Sequence, residues 1–299
     1  MLRAAHELDY RPNLIARSLV TKLTRTIGLV SDTIVGEGYA GDLVRGSLAA
    51  AVRHDHLLQM AETALDPTIE AQAIRHLIDH QVDGLIYASM STRHLRLPRA
   101  LNGQRTVLLN CVAGARTPAI IPDDVAGGRA AVTALVAAGH DDGIYLVGET
   151  PADKLPTRSR RIGIDAAIAD AGARLAGALP CMWWPEPAFD AVAELLASGE
   201  RPRALICLND RIAFGAYQAL TAAGLTVPDD VSVVSFDDSP LAAWLRPPLT
   251  SVSIPYLEMG RLAVETLLSQ SRVRGPILVP MPLRERDSIG PPASGGRRR

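Results

Sequence analysis

The sequence has little cysteine, little net charge and no long apolar segment. Only three cysteines occur among its 299 residues, and Cys111 and Cys207 lie in apolar runs, which predicts reduced core thiols in a cytoplasmic protein. The N-terminus lacks the apolar region of a signal peptide, and no run is long enough to span a bilayer, so neither export nor a membrane partner is expected. With a formal net charge of −1, the bulk of the chain is not suited to binding polyanions.

Sequence patterns of catalytic or metal sites are also missing. We find no phosphate-binding glycine loop and no serine-histidine-acid or cysteine-histidine set in a supporting context. His76 and His80 are spaced to share one helix face, but no third metal ligand is evident nearby. The sequence therefore predicts a protein that is not an enzyme, with no catalytic residue, no metal and no cofactor.

Positive charge is concentrated at the start of the chain. The first 26 residues carry five basic side chains against two acidic ones, Glu7 and Asp9, a net charge of +3. A basic arm on a neutral body suits an anionic partner that is contacted at one end, although an exposed helical terminus would explain the same charge.

An alternation of strand-like and helix-like segments fills most of the chain and predicts parallel sheets covered by helices on both faces. The expected strands are Thr26–Ser31, Leu57–Ala61, Val82–Ala88, Thr106–Asn110, Gly143–Gly148, Ala204–Leu208 and Val231–Phe236. The expected helices are Asp42–Val52, Ile69–His80, Ala126–Ala138, Arg161–Ala171, Phe189–Ala197 and Arg211–Ala223. Ligands of such sheets bind beyond the carboxyl ends of the strands, which is where a site is expected.

The stretch Tyr10-Arg11-Pro12-Asn13-Leu14-Ile15-Ala16-Arg17-Ser18-Leu19, followed by Thr26–Val30, resembles the hinge of lactose-repressor-type (LacI/GalR family) transcriptional regulators. The resemblance implies a hinge helix whose Leu19 is wedged between base pairs in the DNA minor groove. Arg11 and Arg17 would hold phosphates, and Tyr10 and Asn13 belong to the same DNA-binding segment. The alternative is that the apolar residues of this segment only cover a patch on the sensor.

Met1–Asp9 resembles the last helix of that family's three-helix DNA-binding head. The helix that reads the major groove has no counterpart in the sequence, and base-edge readout needs one. We therefore expect the natural protein to begin upstream of Met1. The alternative that stays open is a sensor without a head and without specific DNA binding.

The segment Val227–Asp238, with Pro247–Val252 and Gly260–Ala263, closely resembles the sensor signature of the same family, except that Ser235 replaces a glycine. The resemblance implies that the effector is bound by Asp237, Asn209, Arg160, Trp183, Tyr39 and Asp123. Helix capping is the alternative for Asp237 and Asp123, an exposed helix start for Arg160, and a core position for Trp183, whose neighbour Trp184 leaves the register open. Asp210 and Asp238 are expected to cap helices.

The resemblance implies an α/β fold, a two-lobed periplasmic-binding-protein-like type I sensor of two parallel sheets flanked by helices. A remnant of the helical DNA-binding head and the hinge helix would precede it in residues 1–24. The sensor would span residues 25–290, with the first lobe about 25–139 and 254–274 and the second about 140–253 and 275–290. Residues 291–299 are expected to form a disordered tail.

The implied function is an effector-responsive DNA-binding transcriptional regulator, expected to act as a repressor. Its partners would be operator DNA, a small-molecule effector, expected to be a sugar, and a second copy of the chain, since no heptad zipper for a tetramer is visible. The alternative from transport is a solute-binding protein, which shares the fold but would need an export signal and no basic hinge.

Overall fold

The computed structural model describes residues 23–33, 40–149, 154–269 and 273–292. Its strands are β1 (Thr26–Ser31), β2 (Leu57–Glu62), β3 (Gly84–His94), β4 (Thr106–Val112), β5 (Ala119–Pro122), β6 (Ile144–Val147), β7 (Leu175–Leu179), β8 (Ala204–Cys207), β9 (Ser232–Asp237), β10 (Thr250–Ser253), β11 (Pro276–Val279) and β12 (Leu283–Arg284). Its helices are α1 (Ala40–Arg53), α2 (Pro67–Asp79), α3 (Asp124–Ala137), α4 (Leu155–Asp170), α5 (Pro185–Ala197), α6 (Asp210–Ala222), α7 (Pro240–Trp244) and α8 (Tyr256–Leu268). The two-sheet α/β architecture expected from the sequence is confirmed.

The chain forms two compact units. The first consists of the described residues within Met1–Ile120 and Tyr256–Ile277, and the second of those within Ile121–Pro255 and Leu278–Arg299. The first boundary therefore lies near Ile121 and not near Gly139, the bound that the family resemblance implied. The reason is that α3 packs against α4 of the second unit, so the chain passes from one unit to the other within β5.

The first unit is built on a six-stranded sheet in the order β11-β5-β4-β3-β1-β2. A Cβ added to Gly28 would meet Leu77 of α2, whereas one added to Gly84 would meet Leu267 of α8. Gly28 pairs with Leu85, the neighbour of Gly84, and successive residues of a strand point to opposite faces. Helices α2 and α8 therefore cover opposite faces of this sheet.

The second unit is built on a sheet in the order β12-β10-β9-β8-β6-β7, in which β12 runs antiparallel to β10. Its core includes fully buried Leu146, Ile206, Val233 and Phe236 from the central strands. Continuous apolar strands of this kind are typical of parallel sheets with helices on both faces. Three tryptophans occur in the sequence, and all of them lie in this unit.

His140 fastens the segment near residue 290 to the second sheet. Its Nε2 lies 2.9 Å from the carbonyl oxygen of Gly290 and 2.9 Å from the hydroxyl of Ser232 at the start of β9. Burial lowers the pKa of His140, so the neutral ring is favoured at this position. His140 therefore has a structural role in this unit.

The buried cysteines Cys111 and Cys207 are free thiols within the core, as expected, and Cys181 is half-buried. No helix in the described ranges combines the length and the apolarity that crossing a membrane requires. The hinge residues 10–19, Tyr39 and residues 293–299 lie outside the part of the chain that the structure describes.

Candidate functional site

Arg160 on α4 is the centre of a polar cluster in the second unit. Its side chain is only 2% exposed, and its Nε donates a 2.8 Å hydrogen bond to Oδ1 of Asp124, the first residue of α3. Its Nη1 donates to the carbonyl oxygen of Leu208 at 2.5 Å, and the guanidinium lies 4.5 Å from the ring centre of Phe236. Contacts on several sides therefore hold the guanidinium in one orientation, and an exposed helix start is excluded for this residue.

Asp237 presents the second carboxylate to the same arginine. Its Oδ1 lies 4.0 Å from Nη2 of Arg160, and 18% of its side chain is exposed, against 4% for Asp124. The backbone of Asp237 has φ = 105°, a left-handed conformation that is costly for a residue other than glycine. Because strain of this kind is often found at binding sites, Asp237 is the carboxylate of this cluster that is best placed to receive a ligand.

Burial raises the pKa of Asp237 to about 8, and the guanidinium of Arg160 opposes that rise. Burial also raises the pKa of Asp124, again against the pull of Arg160. A single buried cation thus faces two carboxylates, and burial raises the pKa of both. Hydrogen-bond donors from a ligand would favour the charged form of Asp237.

The raised pKa of Asp237 predicts a pH-dependent stability. The folded state binds the proton up to about pH 8 and the unfolded state only to about pH 4, so stability falls as pH rises through that window. Asp237→Asn should remove this loss, so its free energy of unfolding relative to wild type should rise by about 3–4 kcal/mol between pH 5 and pH 8. Urea unfolding of the effector-free protein, followed by tryptophan fluorescence, measures the difference.

Asp238 provides the matched control. Its carboxylate accepts a 2.6 Å hydrogen bond from Arg286 and lies 3.7 Å from Nε of Arg284. Asp238→Asn should therefore not raise the free energy of unfolding at high pH as Asp237→Asn does. Equal pH dependence of the free energy of unfolding in wild type and Asp237→Asn would contradict the prediction.

The ion pairs of Asp238 also correct the expectation that this residue caps a helix, because Ser239 occupies the N-terminal cap of α7.

Trp183 lies beside the arginine and Trp184 does not. The Nε1 of Trp183 donates a 2.8 Å hydrogen bond to the carbonyl oxygen of Gly148, and its ring centre is 5.6 Å from the Arg160 guanidinium. The Nζ of Lys154 is 4.9 Å from the same ring, whereas Trp184 is paired with Arg211. The structure thus brings Trp183 to the cluster, with a fixed ring that could stack on a ligand.

The cap of α6 is Asn209 and not Asp210. The Oδ1 of Asn209 accepts a 2.8 Å hydrogen bond from the backbone N–H of Ile212. Asp210 is buried, and its carboxylate accepts hydrogen bonds from the hydroxyls of Ser235 at 2.5 Å and Ser251 at 2.8 Å. The expectation that Asp210 caps this helix was wrong because its carboxylate instead binds β9 and β10 together.

Asp123, the residue directly before α3, is the N-terminal cap of that helix. Asp123 accepts a 3.0 Å hydrogen bond from the backbone N–H of Ala126, while Asp124 is the one that faces Arg160. Sequence reasoning selected Asp123 and missed Asp124. The two differ only in position along the helix start, and the partner that distinguishes them is distant in sequence. An effector contact for Asp123 stays a prediction.

A second polar cluster lies at the carboxyl ends of β1, β3 and β4 in the first unit. Asp32 accepts hydrogen bonds from Ser89 Oγ at 2.7 Å and from the Met90 N–H at 2.9 Å, and Arg93 Nη2 lies 3.1 Å away. Asn110, in the second half of β4, accepts a hydrogen bond from Thr92 Oγ1 at 2.6 Å. Arg93 was not found from the sequence because an irregularity in the β3–β4 pairing places it here.

In the described ranges no group of three or more His, Cys, Asp and Glu could hold a metal.

Comparisons with known proteins agree with this architecture. Residues 132–289 match the family described as periplasmic binding protein-like domain. The chain is 32% identical to the ribose operon repressor of Haemophilus influenzae, over 92% of this chain and 82% of that protein. It is 30% identical to the HTH-type transcriptional repressor PurR of the same species, over 90% and 81%. A transcriptional regulator protein of the LacI family from Rhizobium etli has a similar structure, with a TM-score of 0.80 at 27% identity over 89% of this chain and 99% of that one.

Proposed function

This chain belongs to the LacI family of transcriptional regulators. From that premise we propose that it is a transcriptional repressor that binds operator DNA and responds to a sugar. The effector is bound by the cluster around Arg160 in the second unit. Asp237, Asn209 and Trp183 take part in that contact, and Asp124 holds the arginine in place. The hinge segment around Leu19, together with Arg17, Arg11, Asn13 and Tyr10, contacts the DNA.

The observation that carries the proposal is the fixed guanidinium of Arg160 beside a partly exposed carboxylate and an indole ring. A guanidinium donates paired hydrogen bonds, and a carboxylate accepts them from hydroxyl groups. Vicinal hydroxyls of a sugar offer both partners at once, and the apolar face of a sugar ring can lie on Trp183. Among the relatives, the name ribose operon repressor points to the same class of effector.

Effector binding and DNA binding are linked in this proposal. A ligand that binds two conformations with different affinities shifts the population between them, and the effect is reciprocal. The sugar should therefore change the affinity for operator DNA by the same factor by which DNA changes the affinity for the sugar. No chemical step is assigned to the site, and the protein acts in the cytoplasm, where operator DNA is found.

The regulator acts as a homodimer in this proposal. On the first unit, apolar side chains of α1 and of the edge strand β2 are exposed, among them Val52 at 62% and Leu57 at 69%. Exposed apolar groups beside an open sheet edge are features of a surface that binds another chain.

Calorimetry with ribose, other pentoses, hexoses and purine bases tests the effector. We expect one sugar to bind, and Asp237→Ala to raise its Kd about 10- to 100-fold through loss of a charged hydrogen bond. Asp238→Ala should leave the Kd within about twofold, because its carboxylate pairs with Arg286. Unchanged affinity in Asp237→Ala would remove this residue from the site, and binding of purine bases alone would exclude a sugar effector.

A further inference from the structure

A basic cavity of about 560 Å³ lies in the first unit, away from both polar clusters described above. The residues that bear on its chemistry are Arg105, Thr106, Arg116, Thr266, Ser269 and Arg274. No aspartate or glutamate occurs among the described residues that line it. Three guanidinium groups with neighbouring hydroxyls and no carboxylate form a set of donors suited to phosphate.

The three arginines come to one edge of the sheet because each stands just before a strand. Arg105 precedes β4, Arg116 precedes β5, and Arg274 precedes β11. These strands are neighbours in the sheet, and backbone hydrogen bonds join Leu108 to Pro118 and Ala119 to Gly275 at its amino-terminal edge. Arg105 also donates to the carbonyl oxygen of Ser269 at the end of α8, which places its side chain at the cavity. The basic cluster thus lies on the edge where the strands begin.

The N-terminal segment enters the unit at that same edge. The backbone N–H of Thr24 donates a 2.8 Å hydrogen bond to Asp83, directly before β3, and β3 lies between β1 and β4. Neighbouring strands are spaced about 4.8 Å apart, so the start of β4 lies roughly 10 Å from the start of β1, and that of β11 roughly 20 Å. Leu19 precedes Thr24 by five residues, which span at most about 18 Å. DNA that contacts Leu19 is therefore held within about 18 Å of Thr24, which lies at this edge.

We propose that Arg105, Arg116 and Arg274 bind backbone phosphates of the DNA that flanks the hinge site. This inference rests on the proposed DNA-binding function and adds to it a contact surface on the sensor itself. Phosphates follow one another every 3.4 Å or so along each strand, so an edge that extends 10–20 Å from the start of β1 is wide enough to face about three to six successive phosphates. Such contacts add affinity and salt dependence without reading sequence.

The salt dependence of DNA binding tests the proposal. Fluorescence anisotropy of the full-length protein on a long duplex, between about 0.05 and 0.2 M salt, gives the slope of log Kd against log salt. The variant with Arg105→Gln, Arg116→Gln and Arg274→Gln should lose about 0.9 from this slope for each phosphate contact removed. Arg116→Gln with Arg274→Gln alone keeps the Arg105–Ser269 bond and should show a smaller loss in the same direction.

A matched control removes the same charge from the second unit through Arg129→Gln, Arg201→Gln and Arg203→Gln, three exposed side chains. If the first variant has the same slope as this control, the inference is overturned, and the proposed DNA-binding function is unaffected. Absence of DNA binding by the wild-type protein would overturn the proposed function as well. A thermal shift with inorganic pyrophosphate that is lost in the first variant, without any change in the DNA slope, would assign the cavity to a free phosphate compound and overturn the DNA contact.

Discussion

Arg160→Met is expected to lower the free energy of unfolding of the second unit by about 3–5 kcal/mol and to abolish effector binding. The substitution removes the cation from a buried pair and leaves Asp124, which is 4% exposed, without its charged partner. It also removes the donor to the carbonyl oxygen of Leu208. Urea unfolding measured by tryptophan fluorescence reports this unit alone, since every tryptophan of the chain lies in it.

The neighbouring residue supplies the control for that experiment. Arg161 pairs with Glu149 and Asp165 at the surface, so Arg161→Met should cost no more than about 1 kcal/mol. The double variant Arg160→Met with Asp124→Leu removes both buried charges and should recover much of the stability but none of the effector affinity. Equal losses in the two single variants would show that Arg160 has no special role in the fold.

Gly128→Ala is expected to destabilise the second unit by roughly 3 kcal/mol and to weaken effector binding at the same time. A Cβ at this position would overlap the carbonyl oxygen of Arg160, a backbone atom that cannot move without shifting α4. The same helix pair is close at Gly163, where an added Cβ would overlap the carbonyl oxygen of Val125. The close approach of α3 and α4 therefore sets the position from which the Arg160 side chain starts.

Gly127 is the matched control, one residue earlier in the same helix. A Cβ there would lie 3.1 Å from the sulfur of Met281, a flexible side chain that can adjust. Both substitutions gain about 1 kcal/mol of helix propensity, so Gly127→Ala should be close to neutral and only Gly128→Ala should be costly. If urea midpoints and effector affinities change equally in the two variants, close packing at Gly128 does not position the arginine.

Periodicity was sufficient to find the central elements of both units. The strand expected over Thr26–Ser31 has those bounds in the structure, and the helix expected over Arg211–Ala223 is found one residue earlier, at Asp210–Ala222. Buried parallel strands are continuous apolar runs, which makes them easy to recognise. By contrast, β7 has the sequence Leu-Ala-Gly-Ala-Leu and lies at a sheet edge, while β12 has two residues. Small residues and short edges leave no periodic signal.

The sequence predicts most residues of the candidate site but not the contacts between them. Arg160, Asp237 and Trp183 were selected because motifs resemble those of a known family, and the structure brings them together. Asp124 was missed because its role depends on an arginine 36 residues away. Helix caps were misjudged at Asp210 and Asp238 for a related reason. A carboxylate at a helix start satisfies the capping pattern, whereas the side chains that bind these two carboxylates, buried serines for Asp210 and Arg286 for Asp238, come from other parts of the chain.

Each unit is completed by residues far along the chain, and this determines when it can fold during synthesis. Helix α8, which covers the first sheet, and β11 at that sheet's edge follow 135 residues, Ile121–Pro255, that belong to the second unit. At about 5–20 residues per second, the early strands wait on the order of 10 s for these partners. The second unit in turn lacks β12 and the Gly290 contact with His140 until residues 283–290 are made. Apolar surface of both units is therefore exposed on the ribosome at the same time, when binding by chaperones would matter most.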